Sequence, residues 1–188
     1  ARATAKAKDL VRMAVAKARR ITPLPEAIVD VIPKGLVLGG GLSGVTSALS
    51  LARQGFECYL VETQSELGGN LRRTHFTLEG PDPQEHLKGL VEEIKANERI
   101  HVFTDTTVES MDGFVGNFRT VLSNGTGDSK DIEHGTIIIA TGATAHEPDA
   151  YLYGQNDHVM LQQALEEKLA LGQLEVKALN HVVMIQCV

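Results

Sequence analysis

The chain has 188 residues, of which 43% are hydrophobic, 22% charged and 4% aromatic, and its formal net charge is −6. These values fit one domain, or one domain with part of another, and argue against wholesale disorder. The low aromatic content and the lack of Trp argue against a surface that stacks nucleic-acid bases. No run of about 18 apolar residues is present, so no membrane span is predicted.

The amino-terminal segment is strongly basic. A helix is predicted over residues 3–19, with an apolar face formed by Val11, Ala14, Val15 and Ala18. Residues 1–20 carry seven Lys or Arg side chains against one acidic residue, a local charge of +6. Such an arm is typical of nucleic-acid or membrane contact. We favour a solvated helix that lies on the acidic body of the chain or packs against a neighbouring protein.

A strand–helix–strand unit follows a linker over residues 21–34 that contains Pro23, Pro25 and Pro33. Its first strand covers residues 35–39 and its second covers residues 57–62. Between them, apolar residues recur at helical spacing: Val45, Ala48, Leu49 and Ala52. The length of the unit is that of a βαβ crossover, which predicts two parallel strands.

The remaining segments predict a parallel sheet with a small antiparallel meander. Turn residues at 112–113 and 124–125 separate the strands of the meander. In chain order, the elements are a loop at Gly68–Gly69, a turn at Pro81 and Pro83, a helix over 84–97, a strand over 99–103, meander strands over 106–111, 118–123 and 131–134, a buried strand over 136–140, a helix over 160–171 and a strand over 181–188. Because the chain ends inside that last predicted strand, we expect a piece of a longer protein.

Gly39, Gly41 and Gly44 form a G-x-G-x-x-G motif between the first strand and its helix. The first glycine allows a tight turn, the second lets the backbone approach a pyrophosphate, and the third lets the helix pack closely on the strand. The N–H groups of Leu42 and Ser43 are then free to donate to phosphate oxygens at the positive end of the helix.

Glu62 ends the second strand, 18 positions after Gly44. A carboxylate at this position accepts hydrogen bonds from ribose hydroxyls and repels a 2′-phosphate. The sequence therefore predicts a dinucleotide site, and two further segments extend it. Gly68–Gly69 indicates a second backbone turn near the dinucleotide, and the stretch TIIIATGA ends a buried strand at Thr141–Gly142.

Together, these three motifs resemble the flavoprotein superfamily with two dinucleotide-binding domains. In that pattern a glycine motif and a Glu are followed by a Gly-Gly segment and then by Ala-Thr-Gly. A simple NAD domain usually lacks the Gly-Gly segment and the meander that precedes the last strand. The resemblance therefore favours FAD.

Longer stretches resemble the A-type subunits of heterodisulfide reductases and their relatives, in order along nearly the whole chain. These stretches are KAKDLVRMAVAKAR, QGFECYLVETQSELGGNLRR, GFVGNF, IIIATGA and VVMIQCV. The family is cytoplasmic, carries FAD and iron–sulfur clusters, and passes electrons between a donor such as a hydrogenase and a disulfide-reducing partner.

This resemblance implies a role for each matching position. Gly39, Gly41 and Gly44 would hold the FAD pyrophosphate, and Glu62 the adenosine ribose. Further positions would line the rest of the cofactor: Gly69, Asn70 and Arg72 on the flavin side, the Val108 backbone at the adenine, and Thr141 and Gly142 over the pyrophosphate.

The chain also departs from the family pattern. Its two cysteines, Cys58 and Cys187, are too few for an iron–sulfur centre, so clusters are expected only in the full-length protein. The family's second nucleotide-binding domain and the segment that returns to the flavin would follow residue 188. We interpret Cys58 as a core residue, whereas Cys187 lies where it could face a flavin in the intact protein. No metal site is predicted from the seven histidines.

The fold class predicted is α/β: an incomplete Rossmann-like FAD-binding domain with a parallel sheet, helices and an antiparallel meander. Its parts would be a basic helix and linker over 1–34, the FAD-binding domain over 35–150, and a helix and strand over 151–188 that lead to a second domain. The predicted function is electron transfer through FAD, with no catalytic side chain, in a cytoplasmic complex of the heterodisulfide reductase type. This piece alone is expected to be inactive. The alternatives are an NAD-dependent dehydrogenase domain and a non-catalytic piece with a docking helix.

Overall fold

The computed structural model describes residues 2–22, 28–78, 80 and 82–186. Its elements, in chain order, are α1 (Arg2–Ala18), β1 (Lys34–Leu38), α2 (Leu42–Arg53), β2 (Glu57–Val61), a 3-10 helix (Gly69–Arg73), α3 (Pro83–Ala96), β3 (Ile100–Phe103), β4 (Thr106–Phe114), β5 (Asn117–Asn124), β6 (Ser129–His134), β7 (Thr136–Ile139), α4 (Gln162–Ala170) and a second 3-10 helix (Val176–Ala178).

The core of the fold is a four-stranded parallel sheet with the strand order β3-β2-β1-β7. Its strands are short and apolar, as is typical of strands that are covered on both faces. Neighbouring residues of β1 point to opposite faces, so Val37 contributes to one hydrophobic cluster and Leu36 to another. Both side chains are fully buried.

Two helices cover the Val37 face of the sheet. α2 buries Val45, Ala48 and Leu49 there, and α3 adds Ile94 to the same cluster. The start of α3 is fixed by Asp82, whose carboxylate accepts hydrogen bonds from the backbone N–H of Gln84 at 2.7 Å and of Glu85 at 3.4 Å. The packing of both helices on the sheet holds the first turn of α2 at the carboxyl end of β1.

The antiparallel meander β4-β5-β6 covers the opposite face. Leu122 and Ile132 from the meander pack with Leu36 and Val61 from the parallel sheet. The pairing of β4 with β5 is interrupted by a bulge between Val108 and Ser110.

The predicted order of elements is confirmed as far as α4. Most boundaries agree within two residues, and β4 extends beyond its predicted end to Phe114. The fold class, a parallel sheet with helices and an antiparallel meander, is confirmed. The part of the predicted linker at 23–27 lies outside the described residues.

At the ends of the chain, the strand predicted over 181–188 is not observed within the described residues, and α1 does not lie on the body of the chain, which is one of the two arrangements predicted for it. Residues 181–186 form no strand, and Val182 and Val183 are 68% and 82% exposed; residues 187–188 lie outside the described part. A β-strand needs a neighbour for its backbone hydrogen bonds, and none of the described strands pairs with this segment. Helix α1 forms, but none of its residues is buried, so the described chain does not cover its apolar face. Within the described residues, no helix is both long enough and apolar enough to cross a bilayer.

Candidate dinucleotide site

Gly39 makes the turn that ends β1. Its φ of +105° lies in the region that favours glycine. A Cβ at this position would collide with the carbonyl group of Ala140 and lie 3.0 Å from Thr141 Cα. The Gly39 N–H donates to the Val61 carbonyl at 2.7 Å. The turn is therefore wedged between the ends of β2 and β7, where a side chain has no room.

Gly44 allows α2 to lie directly against this turn. A Cβ on Gly44 would collide with the Gly39 carbonyl oxygen and would lie 3.4 Å from Val37 Cγ1. The third glycine of the motif thus serves close packing between the helix and the strand, as the spacing predicts.

Gly41 is different because it faces open space. It begins α2 with an extended backbone (φ −72°, ψ −177°), and a Cβ there would have no atom within 4 Å. The first helical hydrogen bond runs from the Val45 N–H to the Gly41 carbonyl at 2.9 Å. The N–H groups of Leu42 and Ser43 come before it and have no acceptor within the helix. No side chain caps this end, and the first turn carries no acidic residue.

A second glycine turn lies directly against the first. The Gly68 N–H donates to the Gly40 carbonyl at 2.7 Å, and Gly41 pairs with Gly68 in an isolated parallel bridge. A Cβ on Gly69 would lie 3.0 Å from Gly41 Cα. The structure therefore brings Gly68–Gly69 to the amino end of α2.

Glu62 is buried beside these turns, with only 7% of its surface exposed. Its Oε2 atom accepts the Gly40 N–H at 2.6 Å, while Oε1 accepts the Gln64 N–H at 2.8 Å and the Thr63 hydroxyl at 3.1 Å. A carboxylate offers about four acceptor positions, so about one remains for a ligand. If a ligand displaced the exposed Thr63 hydroxyl, a second acceptor position on the carboxylate would become available.

The contact between Glu62 and Gly40 is a functional feature that sequence reasoning missed. A Cβ on Gly40 would lie 2.5 Å from Leu67 Cδ2 and 3.0 Å from Glu62 Oε2. The sequence contains one sign of this contact, because Gly40 lies between Gly39 and Gly41 at a position where the G-x-G-x-x-G motif does not require glycine. Gly40 lets the carboxylate hold the glycine turn directly.

Asn70 and Arg72 lie on the 3-10 helix that follows the second glycine turn. Asn70 Nδ2 donates to the Ala143 carbonyl at 3.1 Å, which joins this helix to the segment after β7. Arg72 forms an ion pair with Glu66, and both side chains are exposed. The guanidinium is therefore already partnered within the chain.

Thr141 and Gly142 follow β7 and are exposed. The Ala140 N–H donates to the Leu38 carbonyl at 2.7 Å, which extends the pairing of β7 with β1 up to the glycine turn. Gly142 has a φ of +67° and open space around its Cα. This turn thus borders the same edge of the sheet as Gly39.

Val108 lies on the meander rather than on the parallel sheet. It pairs with Leu122, and its side chain packs against the cluster that contains Val61. The strand begins beside Glu62, because the Thr106 N–H donates to the Glu62 carbonyl at 3.0 Å. Val108 is therefore two residues beyond the contact that ties β4 to the site.

Cys58, the cysteine within the described part of the chain, lies in the core of the domain rather than at this edge. Cys58 is buried in the core, and burial raises the pKa of its thiol to about 12, which keeps it unreactive at neutral pH. Cys187 lies outside the described residues. Across the described part of the chain, no group of three or more His, Cys, Asp or Glu side chains is arranged to hold a metal ion.

The parallel sheet, the paired glycine turns and the buried Glu at the end of β2 define a dinucleotide-binding domain of the oxidoreductase type. The family model of the pyridine nucleotide-disulphide oxidoreductases matches residues 33–185. The chain belongs to this family.

Two curated relatives of the chain are A-type subunits of heterodisulfide reductases. The chain is 44% identical over 119 residues to the second iron–sulfur A-type subunit of the CoB–CoM heterodisulfide reductase of Methanopyrus kandleri, an alignment that covers 63% of this chain and 18% of the relative. It is 41% identical over 121 residues to the A-type subunit of the H(2):CoB-CoM heterodisulfide,ferredoxin reductase of Methanothermobacter thermautotrophicus, covering 64% and 18%. The predicted resemblance to the A-type subunits of heterodisulfide reductases is confirmed over 63–64% of the chain, rather than over nearly all of it. The matched region spans less than a fifth of each relative.

A solved structure supports the fold. The L-proline dehydrogenase from P. horikoshii superposes with a TM-score of 0.52 at 24% identity, covering 65% of this chain and 25% of that one.

Proposed function

We propose that this chain is the FAD-binding portion of an electron-transferring subunit of the heterodisulfide reductase A type. The flavin would supply the oxidation–reduction chemistry, and the residues of this chain would bind and orient it. Iron–sulfur centres would lie in other parts of the full-length protein, and this portion alone would be inactive.

The observation that carries the proposal is the meeting of three backbone turns at the amino end of α2. The Gly68 N–H bonds to the Gly40 carbonyl, and the backbone at Ala140 lies against Gly39. Gly41 leaves open space beside the N–H groups of the first helical turn. This combination fits a pyrophosphate, which needs a close approach to backbone and several N–H donors.

Each predicted site residue has a proposed role. Gly39, Gly41 and Gly44 shape the pyrophosphate turn, Leu42 and Ser43 donate their N–H groups to it, and Glu62 accepts from the adenosine ribose. The other contacts extend along the dinucleotide: the Val108 backbone at the adenine, Thr141 and Gly142 over the pyrophosphate, and Gly69, Asn70 and Arg72 towards the flavin.

The competing function, an NAD-dependent dehydrogenase, shares the first glycine motif and Glu62. An NAD-dependent dehydrogenase would not require the second glycine turn to pack on the first. Nor would it require Asn70 to join the second turn to the segment after β7. Both features place further backbone beside the proposed pyrophosphate turn, which supports FAD over NAD.

A titration of the purified chain with FAD, and separately with NADH, tests the proposal. We expect saturable FAD binding and a flavin absorption band in the visible spectrum of the complex. Saturable binding of NADH without binding of FAD would replace the proposal with the dehydrogenase.

We also propose that α1 docks this portion in a cytoplasmic complex with other heterodisulfide reductase-type subunits and an electron donor such as a hydrogenase. The support is that α1 buries no residue, while Leu10 and Met13 are 57% and 68% exposed among basic side chains. In this arrangement residues 1–34 form the docking segment, 35–150 the FAD-binding domain and 151–188 the lead into a second domain. Deletion of residues 1–20 from the full-length protein should abolish its co-purification with the partner subunits. Unchanged co-purification would remove this role.

A further inference from the structure

Helix α4 holds the loop that follows the second glycine turn. Gln163 and Glu166 are three positions apart on α4 and so share one face of the helix. Glu166 Oε1 accepts hydrogen bonds from two successive backbone N–H groups, that of His75 at 2.7 Å and that of Phe76 at 3.0 Å. Hydrogen bonds to an ionised acceptor are about twice as strong as neutral ones.

The same loop is held on its other side by α3. Gln84 Nε2 donates to the carbonyl groups of Leu71 at 2.9 Å and Thr74 at 2.6 Å. Among the described residues between the 3-10 helix and the start of α3, none belongs to a helix or strand. Residues 74–76 are therefore held from two sides, with Gln84 donating to a carbonyl group and Glu166 accepting from two N–H groups.

The second α4 side chain reaches the proposed cofactor residues. Gln163 Nε2 lies 3.5 Å from Asn70 Oδ1, and Gln163 Oε1 accepts from Arg73 Nη1 at 3.4 Å. Asn70 in turn donates to the Ala143 carbonyl. One face of α4 thus contacts the 3-10 helix and the residues that follow it, and Asn70 links this helix to the segment after β7.

We infer that Glu166 is a positioning residue for the flavin half of the site, and that α4 couples residues beyond 150 to the conformation of the 3-10 helix and of residues 74–76. The inference rests on the proposed function. Sequence motifs do not identify this residue, because Glu166 lies neither in a glycine motif nor at the end of a strand. The inference assigns Glu166 to the flavin side alone, since the glycine turn and Glu62 are held by other contacts.

The affinities of the chain for FAD and for ADP separate the two halves of the site. In Glu166→Ala, we expect FAD affinity to fall about tenfold, as loss of two charge-assisted hydrogen bonds suggests. ADP affinity should stay unchanged, because ADP lacks the flavin and so does not reach Gly69, Asn70 and Arg72. Glu166→Gln keeps an acceptor oxygen and should retain most of the FAD affinity. The matched control is Glu167→Gln, an exposed neighbour on the same helix, which should change neither affinity.

Amide hydrogen exchange at His75 and Phe76 provides a second readout that needs no cofactor. Exchange at both should accelerate in Glu166→Ala, while a far-ultraviolet circular dichroism spectrum like that of the wild type verifies the fold. Equal changes in FAD and ADP affinity, or no change in either, would overturn the inference. If the wild-type chain binds neither ligand, the proposed function fails and the cofactor role of Glu166 with it. Hydrogen exchange then reports separately whether Glu166 holds the loop.

Discussion

The glycines of the first motif serve different physical purposes, which single substitutions separate. Gly44 packs against the Gly39 carbonyl, whereas Gly41 faces open space with a backbone that any residue adopts. A side chain at position 44 would therefore disturb the fold, whereas a side chain at position 41 would chiefly obstruct a bound ligand.

Gly44→Ala should destabilise the chain by about 2 kcal/mol or more, because its methyl group overlaps a backbone oxygen that cannot move without opening the turn. The measurement is the free energy of unfolding in urea. Gly41→Ala is the control and should lose about 1 kcal/mol or less, because Gly41 begins α2, where Ala is less favourable than Gly but meets no clash. Equal losses in both variants would contradict the assigned packing.

Glu62→Gln should also destabilise the chain. Three donors surround the carboxylate, and an amide would place its NH₂ group against one of the N–H groups of Gly40 and Gln64. An unsatisfied buried donor costs about 1–3 kcal/mol. The control is Glu66→Gln, at an exposed ion pair with Arg72, where the loss should be below about 1 kcal/mol. Similar urea midpoints for both variants would show that Glu62 does not hold the turn.

At the residue scale, local backbone constraints were predictable and distant side-chain contacts were not. The motif spacing predicts the turn at Gly39 and the close packing at Gly44, because both follow from the shape of one βαβ unit. The bond from Glu62 to Gly40 spans 22 positions and the bond from Glu166 to His75 spans 91. Neither has a periodic signal in the sequence.

At the scale of elements, the meander contains a buried polar pair. His134 and Thr120 are fully buried, with the Thr120 hydroxyl 2.8 Å from His134 Nε2 and the Thr136 carbonyl 3.2 Å from Nδ1. A neutral imidazole with its proton on Nδ1 satisfies both contacts. Burial lowers the pKa of His134 below its usual 6.5, and the hydrogen bond to Thr136 partly opposes this shift.

The pair predicts a pH dependence of stability. Because the pKa of His134 is lower in the folded chain, the unfolded chain binds a proton more readily and stability falls as the pH drops below about 6.5. The free energy of unfolding should fall by at most about 1.4 kcal/mol per pH unit from this group. In His134→Gln, urea unfolding between pH 7 and 5 should lack this component. His146→Gln, which alters an exposed histidine, should retain the full pH dependence. If the free energy of unfolding of His134→Gln changed with pH as much as that of the wild type, the role given to His134 would be wrong.

Hydrophobic periodicity predicted both α1 and α2, but it did not predict which of the two apolar faces is buried. Val45, Ala48 and Leu49 recur at helical spacing and are buried on the sheet, whereas the similar pattern of α1 covers nothing in the described chain. The apolar run at 182–185 has the composition of a strand, yet it is exposed and pairs with none of the described strands. Periodicity reports which face is apolar, but the partner that would cover it is a property of the tertiary structure.

At the scale of the molecule, the proposed site is a surface edge rather than an enclosed cavity. It is assembled from the carboxyl ends of β1, β2 and β7 and from the loop between β2 and α3. This is where ligands bind in open α/β sheets. We therefore propose that these turns, with no catalytic side chain, form a dinucleotide-binding surface for FAD.

The most direct test is a titration of wild-type chain and Gly41→Val with FAD, followed by the change in flavin fluorescence, with thermal unfolding of both proteins measured alongside. We expect saturable binding by the wild type and none by Gly41→Val, with both proteins folded and only a small decrease in unfolding temperature, since a Cβ at this position meets no atom within 4 Å and only the start of α2 is affected. Equal FAD affinity in the two proteins would contradict the assignment of the pyrophosphate to this turn.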